Sequence, residues 1–79
     1  MGPMAAVIRI HLRKQMAAFE KRTRQTMSYD KLAALTGLSR ATLESLGSRE
    51  TYNPRLSTIA QICAALDCKP GELLEFVSD

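Results

Sequence analysis

Four side chains between positions 40 and 45 carry groups that can read base pairs in the major groove of DNA. Arg40 can donate two hydrogen bonds to guanine, and Ala41 can contact the methyl group of thymine. Glu44 can accept a hydrogen bond from cytosine, and Ser45 can bond to several bases. Alternatively, Arg40 and Glu44 lie four positions apart and form an exposed helix pair that contributes roughly a few tenths of a kcal/mol. The sequence leaves both interpretations open.

Donors suited to phosphate oxygens flank these positions on both sides. Contacts of this kind fix the register of a protein on the duplex without specifying a sequence. The alternative for each donor is that it is a solvated loop residue. The set comprises Tyr29, Ser39, Thr42, Arg49, Tyr52, Asn53 and Arg55.

Two short helices joined by a glycine are predicted to position both sets. Ser28 is a suitable N-cap for the first helix, and Ser39 is a suitable N-cap for the second. Gly37 between them tolerates the left-handed backbone that ends a helix. Ala33 is small enough for the two helices to cross closely. This arrangement over residues 28–47 has the spacing of a DNA-reading helix-turn-helix.

A wider pattern of small and apolar residues supports this interpretation. It comprises Leu32-Ala33, Gly37-Leu38-Ser39, Thr42-Leu43 and Leu46, then Asn53-Pro54, Ile59-Ala60, Ile62-Cys63 and Ala65-Leu66. On these residues the chain resembles the Cro and lambda-repressor-like helix-turn-helix family, also called Xre, over nearly its whole length. The resemblance implies a DNA-binding transcriptional regulator that reads bases with the residues at 40, 41, 44 and 45.

Two residues depart from the pattern of that family. Tyr29 stands where the family usually has a glutamine that touches phosphate, and Gly47 stands where it usually has a glutamate. The glycine predicts an earlier end to the recognition helix.

The flanking segments complete the predicted fold. Alternating apolar and polar residues predict a short extended arm at Ala5–Ile10 before a first helix at His11–Lys21, although the arm residues alternatively form the first turn of that helix. Asn53-Pro54 predicts the start of a fourth helix, and Pro70 that of a last helix. The stripes that these two helices bury are expected to be Ile59, Ile62, Cys63 and Leu66, then Leu73, Leu74 and Val77. We therefore expect an all-α, compact five-helix domain over residues 1–79, with an N-terminal arm at 1–10 that contains a short strand.

The predicted arm also suggests how two copies would associate. An isolated strand has unpaired backbone groups, and these recruit another strand edge. The natural partner is the same strand of a second copy, which would bury the apolar residues of the arm. The predicted dimerisation residues are Val7, Ile8 and Ile10.

Composition and charge are consistent with a small DNA-binding domain. With 79 residues, of which 46% are hydrophobic, the chain has the composition of a small helical globule rather than a disordered tail. Met1–Thr58 contains ten basic and four acidic residues, whereas Ile59–Asp79 contains one basic and four acidic. The basic part holds the helix-turn-helix, which favours a polyanionic partner over the alternative of an ordinary solvated surface.

No site for catalysis, a cofactor or a metal is predicted. His11 has no nucleophile or acidic pair near it in sequence, and Cys63 and Cys68 with a single histidine make a poor zinc set. Cys63 is expected in the core and Cys68 as a partly exposed free thiol. We also find no stretch near the roughly 18 apolar residues that span a bilayer and no signal peptide, and we expect a cytoplasmic protein without a membrane partner.

The sequence thus predicts a regulator that binds a palindromic double-stranded DNA operator as a homodimer. Two copies are expected because one helix in one groove reads too few bases. A DNA-binding antitoxin or accessory regulator, whose main role is to bind a partner protein, is the alternative. A helix-turn-helix used only for protein contacts is a third possibility.

Overall fold

The computed structural model describes residues 6–49 and 52–78, and it contains five helices and a two-stranded antiparallel sheet. The predicted all-α, five-helix fold with a short N-terminal strand is confirmed. Residues 1–5 of the predicted arm, Glu50 and Thr51 of the loop after the helix-turn-helix, and Asp79 lie outside the described residues. In chain order the elements are β1 (Ala6–Ile10), α1 (Leu12–Thr23), α2 (Tyr29–Thr36), α3 (Arg40–Ser48), α4 (Leu56–Leu66), α5 (Pro70–Leu73) and β2 (Leu74–Ser78).

The core is built from residues of every helix. Full burial of a leucine or isoleucine side chain contributes about 1.5–3 kcal/mol. The stripe predicted on α4 is buried, and Leu32 of α2 meets Leu43 and Leu46 of α3 in the same cluster. The largest fully buried side chains are Leu12, Leu32, Leu43, Leu46, Ile62, Leu66 and Leu73. These contacts fix the two helices of the helix-turn-helix against the rest of the domain.

The prediction that β1 is an isolated strand is wrong, because β1 pairs with β2 of the same chain. Its association with a second copy stays a prediction. The register places Ile8 opposite Phe76 and Ile10 opposite Leu74. The backbone N–H of His11 extends the pairing by donating to the carbonyl of Leu73 at 2.8 Å. β1 therefore does not need a second copy in order to have a strand partner.

The prediction of a last helix reaching Val77 is also wrong. The helix α5 ends at Leu73, and the chain continues as a strand. Leu73 is fully buried as expected, whereas Leu74 and Val77 are only half-buried. Phe76 and Val77 suit a strand, and the free backbone groups of β1 satisfy those of β2.

Boundaries of three helices differ from expectation. The helix α1 spans Leu12–Thr23 rather than His11–Lys21. Arg55, rather than Asn53, is the N-cap of α4, so Pro54 lies before the helix. The helix α3 does not end early at Gly47 but continues to Ser48. Both cysteines are free thiols, with Cys63 buried and Cys68 half-buried as predicted. Burial and the neighbouring Cys63 raise the pKa of the Cys68 thiol to about 11.

Membrane-spanning helices are absent from the part of the chain that the structure describes.

Candidate nucleic-acid interface

A serine caps the start of each helix of the helix-turn-helix, as the sequence predicts. The side-chain oxygen of Ser28 accepts a hydrogen bond from the backbone N–H of Lys31 at 3.1 Å. Ser39 accepts from the N–H of Thr42 at 3.1 Å, and its hydroxyl donates to Thr42 Oγ1 at 2.8 Å. Gly37 between the helices has a φ of 77°, the left-handed conformation that glycine adopts without strain. The turn is therefore fixed by local backbone chemistry.

The helix α3 presents the predicted base-reading residues outward. Leu43 and Leu46 are fully buried and hold one side of the helix against the core. The opposite side exposes Arg40, Ala41 and Glu44, while Ser45 is half-buried. Accessibility of this kind is what a helix needs in order to enter a major groove. Base reading by these residues remains a prediction.

Arg40 takes part in two ion pairs at the start of α3. Its Nε donates to Glu44 Oε1 at 2.8 Å, which is the i,i+4 pair that the sequence left open. Its Nη1 donates to both carboxylate oxygens of Asp30, at 2.9 and 3.0 Å. The hydrogen bond to Glu44 and the charge of Asp30 raise the pKa of Arg40 further above its ordinary value. All three side chains are exposed.

Asp30 was not among the predicted site residues. It lies on α2, ten positions before Arg40, and the spacing of residues along a single helix gives no signal for this pair. Only the close crossing of α2 and α3 brings the carboxylate to the guanidinium.

A polar cleft of about 640 Å³ opens beyond the other end of α3. Its lining combines one predicted base-reading residue with three predicted phosphate-binding residues. These are Ser45, Arg49, Tyr52 and Asn53. The N–H of Tyr52 donates to the carbonyl of Arg49 at 3.0 Å, so a backbone hydrogen bond joins two of the lining residues.

The other predicted phosphate-binding residues are distributed around this helix. Tyr29 is half-buried and, with Arg40 and Arg13, lines a separate hollow of about 360 Å³ between α1 and α2. Ser39 and Thr42 already share the hydrogen bond described above. Arg55 is exposed at the start of α4 and caps that helix without a side-chain bond.

The predicted dimerisation residues have unequal exposure. Val7 is 39% exposed and Ile8 49%, whereas Ile10 is 4% exposed and lies in the core of its own chain. Three further apolar side chains are more exposed than any of these: Leu35 on α2, at 57%, Phe76 on β2, at 65%, and Leu56 at the start of α4, at 83%. The sequence did not predict the exposure of Phe76 and Leu56, because Phe76 fell in a predicted helix and Leu56 precedes the stripe that was expected to be buried, which began at Ile59.

Comparison with known sequences assigns this chain to a family. The sequence profile of the Cro/C1-type HTH DNA-binding domain matches residues 11–79. An uncharacterized HTH-type transcriptional regulator of Bacillus subtilis (strain 168), YozG, is 39% identical over 56 residues. The aligned segment covers 71% of this chain and 67% of that protein. No solved structure matches the chain significantly.

Proposed function

The chain belongs to the Cro/C1-type family of helix-turn-helix DNA-binding domains, and we propose that it is a sequence-specific transcriptional regulator that binds a palindromic double-stranded operator as a homodimer. The B. subtilis relative is named as a transcriptional regulator, which supports the same role. We take residues 1–79 as one domain without a catalytic role. Its DNA target makes the cytoplasm its expected compartment.

The observation that carries the proposal is the orientation of α3. Its inner side is anchored by Leu43 and Leu46, and its outer side leaves Arg40, Ala41 and Glu44 accessible at the start of the helix. An α-helix fits the major groove, and its first turn approaches the base edges. We propose that these three residues and Ser45 read bases.

Phosphate contacts would hold α3 in its register on the duplex. The cleft formed by Ser45, Arg49, Tyr52 and Asn53 adjoins the reading helix and offers guanidinium, phenol and amide donors. Arg55 follows this cleft in the chain and is exposed. We propose that these residues, together with Tyr29, Ser39 and Thr42, contact the backbone rather than bases.

An exposed apolar face on the sheet supports association of two copies. Ile8 and Phe76 are directly opposite each other in the antiparallel pair, so their side chains lie on one face. Ile10 and Leu74, two residues further along the strand pair, lie on the same face. At that end the face packs against the hydrophobic core. Ile8 and Leu56 also line a shared apolar hollow of about 280 Å³. We call this surface, made by Ile8, Leu56 and Phe76, the sheet-face patch.

A second copy would cover the sheet-face patch and bring a second recognition helix. Apolar patches of a few hundred Å² on a small protein often mark interaction sites. A two-fold interface uses the same patch on both copies, and two helices roughly 34 Å apart then read two half-sites on one face of the duplex. Of the predicted dimerisation residues, Ile8 lies in this patch, Val7 lies with Val77 on the other face of the sheet, and Ile10 is covered within its own chain.

Selection of bound sites from random duplex DNA tests the proposal. We expect enrichment of a palindrome whose half-site centres are roughly 10 base pairs, or a multiple of one helical turn, apart. An Arg40→Ala variant selected in parallel should lose the preference at one position of each half-site. Lys69→Ala is the matched control for loss of one positive charge outside the proposed interface. A wild-type protein that enriches no sequence would contradict sequence-specific binding, and enrichment of single half-sites would contradict the homodimer.

The sheet-face patch also favours a second candidate function, that of an antitoxin or accessory regulator in which this patch binds a different protein. Both candidates bind DNA, so both should lose affinity for it as the salt concentration rises, because phosphate contacts release counterions. The search for a partner protein separates them. A partner protein that copurifies tightly with the wild type and is lost from a Phe76→Ser variant would favour the second candidate.

A further inference from the structure

We propose that Asp30 is a positioning residue for base reading, which orients Arg40 so that the Asp30–Arg40–Glu44 cluster selects a guanine beside a base with a major-groove amino group. This inference rests on the proposed function, since it concerns which bases the recognition helix prefers. It assigns to α2 a direct part in specificity.

The two ion pairs determine which edge of the guanidinium remains available. Glu44 holds Nε at 2.8 Å, and Asp30 holds Nη1 through both oxygens at 2.9 and 3.0 Å. No hydrogen bond from Nη2 is present within residues 6–49 and 52–78. An arginine reads guanine by donating two hydrogen bonds to O6 and N7. Nη2, with its two hydrogens, is therefore the donor group that Asp30 and Glu44 leave for guanine.

The pairs also reduce the conformational freedom of a long side chain before DNA arrives. A free arginine loses rotamer entropy when it is ordered. Two carboxylates on separate helices hold the guanidinium from two directions, so part of this ordering is completed in the free protein. Preorganisation of this kind favours the one base geometry that matches the held side chain.

The charge of the cluster supplies a penalty against other bases. One guanidinium and two carboxylates sum to a net charge of −1 at the start of the reading helix. Carboxylate oxygens repel the acceptor atoms of guanine and thymine and can accept only from the amino groups of cytosine and adenine. Affinity for arbitrary DNA is thus lowered, and only a site that offers guanine acceptors to Arg40 and an amino group to Glu44 offsets the repulsion. Specificity gained through such a penalty is a difference of affinities.

Asp30→Asn is the discriminating variant, because it keeps the shape of the side chain and removes its charge. We expect the preference for guanine at the Arg40 position to fall about tenfold, while affinity for unrelated duplex DNA rises. A merely structural role would lower both affinities together. Asp67→Asn removes the same charge from an exposed residue at the end of α4. It should change neither the preference for guanine nor the affinity for unrelated duplex DNA.

The measurements are competition binding of the selected site, a site with the guanine replaced, and unrelated duplex DNA at one salt concentration. Asp30→Glu should recover part of the discrimination. The NMR signals of the Arg40 Nη hydrogens in the free protein give a second readout, which should shift in Asp30→Asn if Nη1 donates to Asp30. An Asp30→Asn protein that discriminates as the wild type does, or that loses affinity for all DNA equally, overturns the inference while leaving the proposed function intact. A wild-type protein that binds no preferred site overturns the proposed function itself.

Discussion

The hydroxyl of Tyr29 occupies the space that a β-carbon on residue 47 would need, so Tyr29 and Gly47 fit together across the helix-turn-helix. The side chain of Arg13 on α1 also borders this space. Tyr29 and Gly47 are the two residues that depart from the pattern of the family. Glycine within a helix costs roughly 0.5–1 kcal/mol relative to alanine. The contact with Tyr29 gives a physical reason for that glycine and ties the start of α2 to the end of α3.

Gly47→Ala should therefore destabilise the domain by about 1 kcal/mol, since the cost of displacing Tyr29 exceeds the gain in helix propensity. In a Tyr29→Ala background the same change should stabilise by about 0.5–1 kcal/mol, because the space is then empty. Urea unfolding of the four proteins in this double-mutant cycle measures the coupling. Equal effects of Gly47→Ala in both backgrounds would show that the two residues do not share this space.

Local chemistry accounts for the parts of the fold that the sequence predicts. Ser28 and Ser39 each accept a hydrogen bond from the backbone N–H three residues ahead, and Gly37 adopts a positive φ that ends the first helix. These effects need no knowledge of the rest of the chain. The outward placement of Arg40 and Glu44 follows in the same way from the buried positions of Leu43 and Leu46.

Long-range contacts account for what the sequence did not predict. The strand β2 forms because β1, more than sixty residues earlier, offers a backbone edge, and a helical pattern around Leu73 and Leu74 gave no sign of it. Asp30 reaches Arg40 only because α2 and α3 cross closely. Spacing along one helix revealed the Glu44 pair and could not reveal the Asp30 pair.

Arg40→Ala should weaken binding to the preferred site by about 1–3 kcal/mol and relax the preference at one base pair. The loss should be larger than that of an unpaired reading arginine, because the variant leaves the carboxylates of Asp30 and Glu44 without their counter-charge beside the DNA. Fluorescence anisotropy with a set of single-base variants of the operator measures both quantities. An unchanged base preference would remove Arg40 from the reading set.

Arg49→Ala and Arg55→Ala should each weaken binding to all sequences alike. Each loses one phosphate contact, so the slope of log K against log salt should become shallower by about one unit. Titrations between low and moderate salt, with the operator and an unrelated duplex in parallel, provide the test. Lys69→Ala is the charge-matched control and should keep the wild-type slope. A loss confined to the operator would instead assign the arginine to base reading.

Ionisation of Glu75 should make the free energy of unfolding of the domain depend on pH in the acidic range. The hydrogen bond from His11, at 2.8 Å, lowers the pKa of the Glu75 carboxyl below its ordinary value. A carboxylate with a lowered pKa in the folded state stabilises above its unfolded pKa of about 4.3, and this contribution is lost as the pH falls through the folded value. Glu75→Gln should thus narrow the difference in urea midpoint between pH 6 and pH 3.

The partner of that hydrogen bond provides the control. His11→Gln should narrow the same difference, and the double variant should add little to either single change. A Glu75→Gln protein with the full pH dependence of the wild type would mean that the contact between His11 and Glu75 does not contribute to folding.

The sheet-face patch should hold the dimer together, and Phe76→Ser tests this most directly. Phe76 is 65% exposed and lies opposite Ile8, so its replacement removes the largest side chain of the patch without opening the core. Aromatic anchors at interfaces are typically worth about 2 kcal/mol or more, so the dimer dissociation constant should rise at least about tenfold.

Leu35→Ser is the matched control, because Leu35 is similarly exposed, at 57%, on α2 and lines a different hollow with Thr36, Gln61 and Ala64. Point variants are better suited here than deletion of the arm, since β1 pairs with β2 along its length. Sedimentation equilibrium of both variants, with Ile8→Ser as a second reporter, gives the masses. A Phe76→Ser protein that remains as dimeric as the wild type would exclude the patch as the interface, whereas dissociation in Phe76→Ser but not in Leu35→Ser would assign the dimer to the sheet.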